Sequence, residues 1–192
     1  MCFHFKLFKS KEAFKANDIK GRPVKGVYNG FGHPNINVVT DENPKDLQHF
    51  MWGLIPSWAK DDNIKKYTLN ARYETIKTKP SFKYAKRCLI FADGFYEWKW
   101  LDEQGEKKQK YLIEFPNSEL FSFAGLYDQW IDKQTGEIIN SCSIVTTEAK
   151  GIMREIHNSK MRMPLVIENN QMDDWLENRD TNLIYNFKTF EV

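Results

Sequence analysis

The residues able to do chemistry in this chain are few, and the first of them is Cys2, in the opening stretch Met1-Cys2-Phe3-His4. An initiator methionine is commonly clipped when the next residue is small, and cysteine is small. Its removal would leave an α-amine and a thiol on the same residue. The amine titrates near neutral pH, well below lysine, and a thiolate is a strong nucleophile. Such a 1,2-aminothiol condenses with an aldehyde to an imine and closes to a five-membered thiazolidine. The competing reading is that Cys2 packs as a small hydrophobe. Three further residues stand out. Glu97 sits mid-strand among aromatics, where burial would raise its pKa and suit it to proton transfer; the other reading puts it on a solvated face. His157 lies in a polar loop after a helix and reads either as an acid/base or as a surface side chain. Asn70, two residues before Arg72, can orient a substrate oxygen or the Cys2 amine, or simply close a turn.

Other constellations are weaker. Cys2 and His4, joined by His33 or His157, lack the C-x-x-C or H-x-x-x-H spacing of a zinc site, so no metal is expected. There is no Gly-rich phosphate loop and no G-x-S-x-G elbow, and no cofactor is called for. The chain has 28 basic and 26 acidic residues and a net charge of +2, so it is no globally basic nucleic-acid binder. Any polyanion site must be local. Arg72, Lys150, Arg154, Lys160 and Arg162 lie near the candidate loops and read either as a local phosphate-holding patch or as dispersed solvated charge, with Trp52 and Trp58 as stacking platforms or core residues. Three widely spaced cysteines argue for a reducing compartment rather than a disulfide framework. Neither a signal-peptide run nor a membrane-length apolar run is present, so a cytoplasmic, membrane-free protein is the expectation.

The elements that would position these residues are mostly strands. Apolar alternation predicts strands at 3–8, 24–28, 36–40, 48–52, 95–101 and 108–115. The uninterrupted run Cys88–Ala92 reads as a buried strand, and 120–130, 138–147 and 165–167 read as others. Tyr96, Trp98 and Trp100 share one face of theirs, and Phe95, Glu97 and Lys99 the other. Short helices are expected at 10–17 (capped by Ser10), 61–67, 81–86, 148–156 and 171–177, with Asn117-Ser118 in a turn and a peripheral tail over 178–192. With 192 residues, 41% of them hydrophobic and 15% aromatic, this makes one compact domain. The fold class is α+β, with strands outnumbering helices.

Seven segments then fall into one register: Met1-Cys2, W-G-L-I-P-S-W at 52–58, N-A-R-x-E-T at 70–75, A-D-G-F-Y-E-W at 92–98, F-A-G-L-Y at 123–127, V-T-T-E-A at 145–149 and H-x-x-x-x-R-M-P at 157–164. Together they resemble the SOS response-associated peptidase family, the abasic-site processing proteins. The resemblance covers residues 1–175. It implies a twisted, barrel-like sheet with a basic cleft, and covalent crosslinking to abasic sites in single-stranded DNA through the mature N-terminal cysteine. Carried onto this sequence, it gives Cys2 both nucleophiles and Glu97 the opening of the sugar and proton movement. It gives His157 the Schiff-base step and its reversal, and Asn70 the positioning of amine and sugar. Arg72 and Arg162 would hold flanking phosphates, with Trp52, Trp58, His4 and Lys160 as further DNA contacts. Two departures stand out. The family often begins M-C-G-R, and here Phe3-His4 follow the cysteine; its Y-N-x-x-P segment appears as Tyr28–Pro34 with extra residues.

The leading expectation is a monomeric abasic-site sensor that forms a thiazolidine crosslink with single-stranded DNA once Met1 is removed. Two other readings remain beside it: a cysteine peptidase or autoprotease built on Cys2, Glu97 and His157, and a noncovalent single-stranded nucleic-acid binder.

Overall fold

The run Lys86–Ala92 is buried from Cys88 onward on both faces, and such a strand has to lie between other layers rather than at a surface. It does. The computed structural model describes residues 1–9, 11–115, 119–179, 181 and 186–192; the expected cap Ser10 and the turn Asn117-Ser118 lie outside the described residues. In chain order the strands are β1 (His4–Leu7), β2 (Gly26–Asn29), β3 (Asn35–Thr40), β4 (Gln48–Trp52), β5 (Asn70–Arg72), β6 (Lys86–Ala92) and β7 (Gly94–Trp100). They continue as β8 (Lys108–Glu114), β9 (Phe121–Ile131), β10 (Ile138–Glu148), β11 (Arg162–Pro164), β12 (Val166–Ile167) and β13 (Lys188–Glu191). Three helices, α1 (Lys11–Ala16), α2 (Met153–Ile156) and α3 (Met172–Leu176), flank them.

Five of the strands close on themselves. β10 pairs with β4, β4 with β3, β3 with β6, β6 with β9, and β9 returns to β10. Closure leaves no open edge within the ring. One glycine makes the tight crossing possible: a Cβ on Gly125 of β9 would stand 2.6 Å from the Cys88 sulfur on β6. A second sheet, in the order β13-β8-β7-β1-β2, packs on the barrel through Phe5 and Phe95, which both meet Phe123 edge-on. The two sheets thus share one core, in an α+β fold dominated by strands.

Several expectations shift by a physical cause. Residues 148–156 form only the four-residue α2, because Glu148 stays in β10 to pair with Arg162 of β11. Residues 81–86 make a turn instead of a helix, since Lys86 is drawn into β6 opposite Tyr127. The tail is not merely peripheral: β13 pairs with β8, and Phe187 packs edge-on against Phe95 and Phe115. Among the described residues no helix is long and apolar enough to cross a membrane.

Trp52 is a core side chain and not a stacking platform. It ends β4 fully buried, packs on Phe5, and donates its indole N–H to the Leu69 carbonyl at 2.9 Å. Truncation there leaves a cavity and removes one of the two hydrogen bonds the Leu69 carbonyl accepts, the other coming from the Ile144 N–H at 3.1 Å. Trp52→Ala is therefore expected to lower unfolding stability by about 3–5 kcal/mol, read from denaturant midpoints.

Candidate functional site

Four separate elements converge where the chain begins. β1 lies between β2 and β7, with His4 opposite Tyr96, so the residues before it emerge beside Glu97. Glu97 points inward with Phe95, only 3% exposed, which decides between its two sequence readings. His157 follows α2 and is also buried. Asn70 opens β5, which runs parallel to β10.

The distances make these one site. The α-amine, carried here by Met1, lies 2.8 Å from His157 Nε2 and 3.5 Å from Glu97 Oε1. His157 Nε2 is 3.6 Å from Glu97 Oε2. The Asn70 side-chain amide donates to the Cys2 carbonyl at 2.9 Å, while its Oδ1 is buried without a partner. The tautomer of His157 follows from its other nitrogen. Nδ1 accepts the Arg162 backbone N–H at 3.1 Å, so the neutral ring carries its proton on Nε2 and directs it at the amine.

Burial sets the charge states. Removal from water, outweighing the attraction of the nearby amine, pushes the Glu97 carboxyl up to about 7. Burial, reinforced by the N-terminal charge, pulls His157 down to about 4. The amine is lowered as well, by burial against the opposing pull of Glu97. At neutral pH the group therefore holds a neutral imidazole and a carboxyl near its midpoint, beside an amine that gives up its proton more readily than an exposed one. Losing that proton is what makes an amine nucleophilic. The Cys2 thiol is fully buried, and burial raises its pKa; its sulfur lies 3.8 Å from the His4 carbonyl oxygen.

Two recesses flank the amine. On one side a cavity of about 340 Å³ is lined by Phe3, His4, Phe31, Trp98 and Trp100, with Lys108 and Lys160 at its rim. On the other a groove of about 520 Å³ is lined by Tyr67, Asn70, Arg72, Thr75 and Lys79. Met1 lines both. Arg72 and Lys79 give the second recess its positive charge, and the stretch 58–86 that supplies most of it carries eight basic and three acidic side chains. Trp58 in the same stretch is half exposed, with its indole N–H 3.4 Å from the Pro80 carbonyl.

The site thus brings together Cys2, Asn70, Glu97 and His157, with His4 and Lys160 on one side and Arg72 on the other. Arg162 differs from expectation. Its guanidinium grips Glu74 through two bonds of 2.8 and 2.9 Å and donates to the Thr146 carbonyl at 2.6 Å. Those donors are already committed, and what Arg162 gives the site is the backbone N–H that holds His157. Two positioning residues were not singled out from sequence. Glu74 holds Arg162, and Asn158 clasps Trp100 by both its N–H (3.0 Å) and its carbonyl (2.9 Å), tying the His157 loop to β7. An asparagine beside a candidate histidine is the signal that was available.

The family described as SOS response associated peptidase (SRAP) matches residues 1–189. The chain belongs to this family. It is 40% identical over 153 residues to the abasic site processing protein YoaM of Bacillus subtilis, a match spanning 78% of this chain and 65% of that protein. It is 36% identical over 198 residues to YoqW of the same organism, also an abasic site processing protein, spanning 96% and 84%. A crystal structure from Bacteroides thetaiotaomicron superposes with a TM-score of 0.85 at 29% identity, covering 100% of this chain and 92% of that one.

Proposed function

We propose that this SRAP-family protein captures abasic sites in single-stranded DNA as a covalent adduct on Cys2 after Met1 has been removed. The observation that carries the reading is the convergence of a terminal amine, Glu97 and His157 within 3.6 Å of one another, beside a cysteine. The relatives' names add the lesion. The two recesses add a path for a strand, and Met1, whose loss this reading requires, lines both.

The chemistry balances as follows. Glu97 hands a proton from one carboxyl oxygen to the ring oxygen of the closed sugar while its other oxygen takes up the proton of the anomeric hydroxyl, and the ring carbon–oxygen bond breaks to free the aldehyde. The Cys2 nitrogen attacks the aldehyde carbon to give a carbinolamine. Protonation of its hydroxyl expels one water and leaves the imine. The thiol sulfur then adds to the imine carbon, its proton passes to nitrogen, and the thiazolidine closes. His157, holding a proton on Nε2 at the amine, serves the imine step and its reversal. Asn70 fixes the Cys2 carbonyl, and its unused Oδ1 is an acceptor for the freed amine. Arg72, Lys160 and Trp58 contact the strand.

The peptidase reading has less behind it, because a cysteine peptidase needs its thiol against an imidazole, and the Cys2 sulfur lies against the His4 carbonyl. The direct test is retention of an abasic single strand on the protein under denaturing conditions, expected for the methionine-processed chain and absent with an intact strand. A second test concerns affinity. Arg72→Ala is expected to weaken noncovalent binding across all sequences. It should also flatten the slope of log K against log salt by about 0.7, read by anisotropy titration.

A further inference from the structure

One aromatic side chain near the site is held outward rather than packed away. Phe31 sits on a 3-10 turn, Gly30–Gly32, between β2 and β3. The turn is fixed at both ends: Asn29 Oδ1 accepts the Phe31 N–H at 3.1 Å, and His33, at φ 49°, returns its own N–H to the Gly30 carbonyl. Beneath it lies the core, since a Cβ on Gly30 would stand 3.1 Å from the Trp52 ring. On this rigid seat Phe31 is 63% exposed. Phe3 stacks on it at 4.9 Å between centroids. His4 meets Phe31 edge-on at 6.2 Å and Trp98 at 5.0 Å, and its buried Nδ1 has no partner. The wall so formed lines the cavity beside the amine, and Lys108 and Lys160 stand at the rim.

Flat faces with cations around them suit a nucleobase on a phosphate chain better than an apolar peptide side chain, which would leave the lysines unanswered. The geometry points to a base-stacking subsite in which Phe31, backed by Phe3 and flanked by Trp98, holds the nucleobase next to the abasic position. This rests on the proposed reading of the site and adds to it a preference for what neighbours the lesion.

The test uses the methionine-processed protein and a single strand whose abasic position is an inert tetrahydrofuran, which has no aldehyde and cannot crosslink. The fluorescent base 2-aminopurine is placed on one side of it and then on the other. Stacking quenches this base, so one of the two placements is expected to darken on binding. Phe31→Ala is expected to abolish that quenching and weaken binding about tenfold, and Phe31→Trp to retain both. Binding without quenching at either placement, no binding, or an unaltered Phe31→Ala variant overturns the subsite. Because this strand cannot react, a failure here leaves the covalent reading standing. Normal quenching with no adduct on a true abasic strand sinks that reading alone.

Discussion

Cys2→Ala is expected to give a protein that still forms an imine with an abasic strand but cannot keep it. Alanine is also small enough for Met1 to be clipped, so the variant retains a terminal amine in the same place and lacks only the sulfur. Glu97, His157 and Asn70 are untouched, and the imine step proceeds. With nothing to add to the imine carbon, water reverses it. Borohydride should therefore trap a stable adduct from the variant, while a denaturing gel without reductant should show none. The processed wild-type protein should show the adduct in both. A companion variant with one residue inserted before Cys2 keeps the thiol but buries the aminothiol in a peptide bond. It is expected to give no reductant-independent adduct, because both nucleophiles must sit on one residue to close the ring. Equal adduct from either variant and the wild type would separate the chemistry from Cys2.

Glu97→Gln carries the second large effect, and it acts in two directions. As the group moving protons during sugar opening and imine formation, Glu97 should contribute about 100- to 10,000-fold to the rate. The variant's single-turnover crosslinking should slow by that much. Stability should move the other way. The carboxyl is raised from an ordinary 4.5 to about 7 by burial, so the folded protein holds the proton more tightly than the unfolded chain does. Its favourable contribution is complete below about pH 4.5 and drains away as pH rises towards 7, by up to about 3 kcal/mol. Glutamine cannot ionise, and the variant escapes this loss. His157, held near 4, contributes the opposite trend over the same range and is common to both proteins, so the difference between them carries the reading: from pH 5 to pH 8 the wild-type denaturant midpoint should drop relative to that of Glu97→Gln. A difference between the two proteins that does not change with pH would mean the carboxyl is not buried as described.

Much of this site was legible from residue types, and the limits were physical. β4 (Gln48–Trp52) matches the expected span, and the buried strand at Cys88–Ala92 followed from its unbroken apolar run. The alternation around Glu97 correctly placed it with Phe95 opposite the three aromatics, but alternation alone does not say which face is inside. The barrel decided that, by packing Phe95 on Phe123. The two tryptophans of the 52–58 segment could not be separated from sequence. A register position opposite Cys142 buries Trp52, while a loop leaves Trp58 at the surface. The pairing of Arg162 was not legible because its partner Glu74 lies 88 residues away, and β10's parallel pairings with β4 and β5 are equally non-local. Propensity arguments see neither. The 148–156 helix shrank for the same reason, since β11 recruits Glu148 into a ladder.

The central claim is that the terminal aminothiol of Cys2 takes up the lesion's aldehyde, and intact mass tests it most directly. Methionine-processed protein is incubated with an abasic single-stranded oligonucleotide, without reductant, and weighed after denaturation. The account predicts a species at the mass of protein plus strand less one water, with the Cys2 thiol no longer open to alkylation. An unshifted mass, with Cys2 still alkylated, would contradict it.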